Sequence, residues 1–450
     1  MHRSRPVHLA LATLIFIYLG TTGIGAAIAT TGFGRAQLQE FFSVSPVPFD
    51  WLKTLGSPLY WTLLLQPILI VPVVALVAER ATERLAPSLA LPDLPTWIAV
   101  GLASLFAAFC IYKLAEAGGL SAHEAWDRSF CYQQQITRRV ELMQLLGNRF
   151  YAFAYSSLPV VAFFLLAKGI LQKSRSALFA FAVLSAIIAW LYIAMIMKAP
   201  LVIYVGLCAL TVVLCRFTWR SAAVATLIAV PLAAGIYFGL SALQICPTEH
   251  AAWQIKEQPE APAAAGNPVA APSSAPTHLA QPSDKIVRFS RNAVFRMASA
   301  FPYYVQTFSN PEERCGVELP LALASQRCYP PTKMFKIIFP SVDYVTGFAP
   351  AGATLTAYAE LGLFYSFVVA VIVGAIIGFI SVFAGTGDPL RVTIGVALCM
   401  FCYYVTQSSL TGSLIHSYGL IWLLLPILIM ITASATLSQS RRATLNAQHP

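Results

Sequence analysis

Charge is what this chain has least of. Of its 450 residues only 11% are Asp, Glu, Lys or Arg, whereas 58% are hydrophobic. A soluble domain carries about 25% charged residues to cover its surface, so water is not the main solvent of the folded chain. Acids are scarcer than bases, 19 against 29, and there are only 7 histidines. No Cys/His spacing has the form of a zinc site, and no glycine loop has the Walker or Rossmann form. The sequence therefore calls for no metal, no cofactor and no nucleotide, and nothing in it asks for a nucleic-acid partner.

What it does have is apolar length. Runs of roughly 18 residues or more recur, each sufficient to cross about 30 Å of hydrocarbon at 1.5 Å per residue. They fall near 8–30, 58–78, 95–114, 150–167, 176–197, 200–215, 221–244, 354–384, 389–407 and 417–436. The expectation is an all-α polytopic membrane protein with about ten transmembrane helices. The first run follows Met-His-Arg-Ser-Arg but is too long for a typical signal sequence, which predicts an uncleaved first helix. The break between the fifth and sixth runs rests on Lys198 and Pro200, which predict a tight hairpin there.

Lysine and arginine give the direction. With the N-terminus cytoplasmic, every cytoplasmic connection is short and cationic. The cations are Arg3 and Arg5; Arg80 and Arg84; Lys168, Lys173 and Arg175; Arg216 and Arg220; Arg391; and Arg441 with Arg442. An even number of spans returns the C-terminus inside. The chain then divides into a helical part, 1–244, interrupted by an outer loop at about 115–149; a large outer loop, 245–353; a second helical part, 354–436; and a cytoplasmic tail, 437–450.

The large outer loop has two halves. Residues 257–284 are Ala, Pro and Ser with almost no large apolar side chain, too little to offset the entropy of folding, and read as a solvated tether. Residues 285–353 carry aromatics, arginines and two cysteines and read as ordered, basic structure. Outer cysteines number four, Cys131, Cys246, Cys315 and Cys328, which allow three complete pairings. In an oxidising compartment a Cys315–Cys328 bridge is one of them, closing a short loop.

Three groups of residues are candidates for chemistry. Arg288, Arg291 and Arg296 lie within an arc of about 140° if their segment is helical. Guanidinium forks suit phosphate oxygens, but the same pattern serves an interfacial helix whose arginines reach lipid headgroups. Lys198 sits at the mouth of its helix, either anchoring it or projecting a cation into an outward cavity. Asp343 precedes Gly347, Pro350 and Gly352, and Glu360 follows. Counted inward along a straight helix from 354, Glu360 lies roughly 9 Å deep, where an ionisable group faces a partner or a polar cavity. The 354–384 run exceeds one crossing, so its first turns are expected to be tilted, broken or re-entrant. Lys113, the arginines 128, 138, 139 and 149, and the histidines His123 and His416 each have an ordinary surface or interfacial reading.

The run Phe339-Pro340-Ser341-Val342-Asp343-Tyr344 through Gly347, Pro350 and Gly352 to Ala357-Tyr358-Ala359-Glu360-Leu361-Gly362-Leu363 resembles the end of the large periplasmic loop in O-antigen and exopolysaccharide repeat-unit polymerases of the Wzy type. Lys198-Ala199-Pro200 is similar to a basic turn between their middle helices, and 288–296 stands where they place part of the catalytic loop. Where some members carry an arginine spaced before a glycine, this chain offers Lys336 before Gly347. The resemblance implies an inner-membrane glycosyltransferase that joins undecaprenyl-pyrophosphate-linked oligosaccharides. Its partners would be that lipid-linked oligosaccharide, membrane lipids and a polysaccharide chain-length regulator. It implies pyrophosphate contacts from Arg288, Arg291, Arg296 and Lys198, with Glu360 or Asp343 in acid–base work or arginine positioning. An O-antigen ligase is the alternative within the same class. A lipid-linked oligosaccharide transporter, or a membrane assembly subunit without catalysis, is the alternative outside it.

Overall fold

The computed structural model describes residues 6–34, 51–85, 94–118, 132–195, 197–216, 218–242, 298–317, 328–338, 349–416 and 419–447, and among them every regular element is helical. In chain order these are α1 (Pro6–Ile28), α2 (Trp51–Leu55), α3 (Pro58–Leu85), α4 (Thr96–Glu116), α5 (Tyr132–Ala152) and, after a π-helical turn at Phe153–Ser157, α6 (Leu158–Leu171). There follow α7 (Arg175–Ala194), α8 (Lys198–Arg216), α9 (Trp219–Ala242), α10 (Ala300–Thr307), α11 (Pro330–Ile338) and α12 (Ala353–Leu361). The chain closes with α13 (Leu363–Ser381), α14 (Pro389–Gln407), α15 (Leu410–Leu414) and α16 (Leu420–Ala447).

Among the described residues, nine helical runs are long and apolar enough to cross a membrane, and the apolar part of α16, Leu420–Thr436, is a shorter tenth. The chain is an all-α, multi-pass membrane protein. In hydrocarbon every backbone N–H and C=O must be satisfied within the segment, and helices do this alone. The expected break near Lys198 is present: α7 ends at Ala194, Lys198 is the first residue of α8, and the two helices pack on each other.

Burial separates a centre from a periphery. The run Gln144–Leu171 is 94% buried and α14 is 89% buried, against 6% for Arg220–Leu240. α1, α8 and α13 pack on α14, while α4, α7, α8 and α14 pack on α6. The tightest contact lies off this centre, between α3 and α13. Gly374 and Gly378, four residues apart, bring α13 so close that a Cβ at Gly378 would stand 2.3 Å from the Ala75 carbonyl oxygen. Small residues at this spacing let two backbones meet in a bilayer.

A second apolar core covers one end of the bundle. It joins Tyr18, Ala26 and Ala29 of α1 and its C-terminal extension, Leu55 of α2, and Tyr60, Leu63 and Leu64 of α3 to Phe301, Tyr304, Phe308 and Cys315 of the loop and to Leu355, Tyr358 and Ala359 of α12. Tyr18 donates to the Leu64 carbonyl at 2.8 Å and Tyr60 to that of Ala26 at 2.7 Å. The described part of the large loop is thus folded structure on the ends of α1 and α3. The tether 257–284 lies outside the described residues.

The run 354–384, too long for one crossing, is broken near its start as expected. It is two helices that fold back on each other. The Ser366 hydroxyl lies 2.7 Å from the Thr354 carbonyl, although 12 residues of straight helix would separate the two by roughly 18 Å. The reversal occurs at Gly362, whose φ of 95° and ψ of −169° belong to a region that essentially only glycine enters. The membrane span therefore begins at Leu363, and α12 belongs to the capping structure.

Candidate functional site

The hairpin of α12 and α13 corrects the position of Glu360. A straight count from 354 puts it deep along the span. In the folded chain α12 runs back toward the loop, so Glu360 sits beside the Gly362 turn and Thr354 lies farther down, level with Ser366. Glu360 remains buried, at 6% exposure, because the loop closes over it.

That closure is built from backbone and one arginine. The N–H of Cys315 donates to the Ala359 carbonyl at 3.0 Å, and the N–H of Gly316 to the Glu360 carbonyl at 3.1 Å. These bonds satisfy carbonyls at the end of α12, which have no partners within the helix. The adjacent Arg314 turns its guanidinium onto Gly362: a Cβ there would be 2.7 Å from Nη1 and 2.8 Å from Cζ. Its Nε donates to the Phe308 carbonyl at 3.2 Å, which aims the fork. The absent side chain at Gly362 thus serves twice, in the reversal and in the close approach of a cation.

The loop is held by covalent and polar ties. Cys315 is bridged to Cys328, so of the pairings open to the sequence this one is present. Lys333 of α11 donates to the Glu313 carboxylate and carbonyl, both at 2.7 Å, and lies over the Phe308 ring. Tyr304 donates to the Ala349 carbonyl at 2.9 Å. Burial pushes its phenol well above the usual range, so it stays a protonated donor. Replacing Cys328 with serine removes a crosslink spanning 13 residues and is expected to cost about 3 kcal/mol by loop closure. Thermal unfolding in detergent should show a lower midpoint, reproduced in the parent protein by reductant; an unchanged midpoint in both would refute this role.

Farther down the hairpin, Gln66 of α3 reaches in. Its Oε1 stands 3.0 Å from the Ser366 hydroxyl, while its Nε2 is buried without a hydrogen-bond partner. A hydroxyl has one proton, and Thr354 is the shorter acceptor. Turning the amide over lets its NH2 donate to Ser366 while Ser366 donates to Thr354, the arrangement we adopt. The N-terminal side of α12 meets another span: a Cβ at Gly352 would be 3.2 Å from the carbonyls of Val405 and Thr406 at the end of α14.

Lys198 is half-buried, with its ammonium 5.6 Å from the centre of the Tyr237 ring on α9. Beside its turn, Tyr155 stacks with Tyr151 and Tyr192, and its hydroxyl contacts the Met197 sulfur. Tyr404 of α14 donates to the Tyr155 carbonyl at 3.3 Å, linking this aromatic ladder to the same end of α14 that meets Gly352. His416 is exposed in the turn after α15, a helix that packs on α12. Arg288, Arg291, Arg296 and Asp343 lie outside the described residues.

Arg314 is the residue that reading the sequence misses. It follows Glu312 and Glu313, which disguise it as part of a solvated charge run, and only its neighbour Cys315 hints that the position is fixed. Among the described residues no three His, Cys, Asp or Glu side chains come together as a metal site. No protein-family model, curated protein or solved structure matches this chain.

Proposed function

We propose that the chain is a membrane glycosyltransferase that polymerises polyprenyl-pyrophosphate-linked oligosaccharide units at the outer face of a bacterial inner membrane. The observation that carries this reading is the Gly362 turn, where the Arg314 guanidinium packs on the glycine two residues from the buried Glu360. A cation seated on the turn and a buried carboxylate two residues before it, at the end of a membrane bundle, suit a reaction whose leaving group is an anionic pyrophosphate and whose nucleophile is a sugar hydroxyl.

In that reaction the acceptor hydroxyl oxygen bonds to the anomeric carbon of the donor. The bond from that carbon to the pyrophosphate oxygen breaks, and the electron pair leaves with the pyrophosphate. Glu360 accepts the hydroxyl proton, and Arg314 meets the charge developing on the leaving oxygen. Lys198 and the arginines 288, 291 and 296 are further cations for the pyrophosphate, and Asp343 is a second carboxylate for proton transfer or arginine positioning. The donor arrives activated, so the outer site needs no nucleotide. A chain-length regulator is the partner that such a polymerase calls for.

Deleting the gene should leave single repeat units on the surface acceptor, read as collapse of the ladder on a glycan gel. Arg314→Gln and Glu360→Gln, at unchanged protein level, should each lower polymerisation by roughly 10²–10³-fold, the range seen when a transition-state charge partner is removed. Wild-type chain length in the deletion strain would sink the reading. Loss of all glycan from the surface acceptor, with full-length polymer retained on the polyprenyl pyrophosphate carrier, would mark a ligase instead.

A further inference from the structure

At the end of the bundle away from the hairpin, α4 and α7 flank α6 and leave an open groove of about 610 Å³ between them. Its walls run from Thr96 to Ala107 on α4 and from Ser176 to Ile187 on α7, with Leu165 of α6 as the floor. Both walls start at the first turn of their helix and span 12 residues, roughly 16 Å each. The hydrocarbon of a bilayer is about 30 Å thick, so the groove matches one leaflet in length. Its lining side chains are carbon apart from the hydroxyls of Thr96, Ser104 and Ser176 and the indole N–H of Trp97. Two exposed cations, Arg175 next to the lining Ser176 and Lys173 in the turn before it, precede the α7 wall in the chain.

We propose that this groove holds an acyl chain of an anionic phospholipid from that leaflet, with the lipid phosphate at Lys173 and Arg175. A volume of this size lies within the roughly 300–1,000 Å³ of small-molecule sites. A leaflet-length apolar channel ending at cations fits a lipid that has a negative headgroup at one end and a single-leaflet tail at the other. A polyprenyl chain is longer than one leaflet, and the walls stop where a leaflet stops. The site is separate from the Glu360 hairpin and does not depend on what that hairpin does.

Trp97 lines the groove and is 61% exposed, which makes it a reporter. Full-length protein in detergent is titrated with phosphatidylglycerol brominated on its acyl chains, or with phosphatidylcholine brominated in the same way. The Trp97 signal is taken as the difference between the parent and Trp97→Phe. The expected result is quenching of that difference at lower phosphatidylglycerol than phosphatidylcholine, with Lys173→Gln and Arg175→Gln each weakening it roughly fivefold. Ala180→Phe, which fills the groove, should abolish it. The two charge substitutions lie on exposed positions outside the packing, so they remain decisive if Ala180→Phe misfolds. Equal quenching by both lipids, or insensitivity to the two charge substitutions, would overturn the proposal. So would displacement of phosphatidylglycerol by equimolar polyprenyl phosphate, or a dimer in native mass spectrometry that Ala180→Phe dissociates.

Discussion

Gly378→Leu is expected to keep α3 and α13 from closing and to leave little protein that survives detergent extraction as a single species. The side chain has nowhere to go. Its Cβ would lie 2.3 Å from the Ala75 carbonyl oxygen and 2.7 Å from the Ala78 Cβ, and both atoms belong to the facing helix. A flexible side chain would swing aside, but a backbone carbonyl moves only if the helix moves. Close approach is the main source of helix association in lipid, where there is no hydrophobic difference between a neighbour and the solvent. Overpacking in water-soluble cores costs about 1–3 kcal/mol, and a backbone clash of this kind belongs above that range. Gly374→Ala should be milder, because its nearest obstacles stand at 2.8 Å and one of them is the Val74 side chain. Thermal unfolding of detergent-solubilised protein should therefore rank wild type above Gly374→Ala, and Gly374→Ala above Gly378→Leu. A Gly378→Leu midpoint equal to wild type would refute the contact.

The α3–α13 contact also bears on the candidate site. α13 follows directly on Gly362 and carries Ser366 one turn in, and α3 carries Gln66. Gly374 and Gly378 thus hold the two helices at the separation from which Gln66 reaches Ser366, and through it the Thr354 carbonyl. Separating the helices would detach the lower part of the hairpin before disturbing the loop. On the proposed reading, a weakened Gly374→Ala variant should consequently lose polymerisation in proportion to its loss of stability.

How much of this was readable beforehand follows from the physics of each signal. Hydropathy locates spans well, because the bilayer tests composition over a window of some 20 residues. The starts at Pro58, Thr96 and Pro389 fall within two residues of the expected ones. The break near Lys198 was also legible, since a cation and a proline interrupt an apolar run. The hairpin at Gly362 was legible only as excess length. Its apolar flank, Leu361 and Leu363 to Tyr365, reads as one continuous span, and a glycine's sign of φ leaves no mark on composition. That omission reversed the apparent position of Glu360. Arg314 was illegible for a different reason: its position depends on backbone bonds between Cys315 and Ala359 and between Gly316 and Glu360, 44 residues apart in each case. No local pattern encodes a contact of that separation.

Gly362→Ala separates the two tasks assigned to this glycine. Alanine at a φ of 95° and a ψ of −169° is strained wherever it is placed, at about 1–3 kcal/mol. Its methyl would also displace the Arg314 guanidinium, whose atoms stand at 2.7 and 2.8 Å. That second part is a collision with the far end of a flexible side chain, so it should cost little stability while moving the cation off the turn. A double-mutant cycle with Arg314→Ala distinguishes the contributions. The stability loss from Gly362→Ala should persist almost undiminished in the Arg314→Ala background, because the backbone strain remains. On the proposed polymerase reading the functional loss should not: once Arg314 is gone, adding Gly362→Ala should shorten the surface glycan no further. If the stability loss vanishes in the Arg314→Ala background, the reversal at Gly362 does not require glycine. If the glycan losses instead add, the glycine acts on the reaction by a route other than seating the arginine.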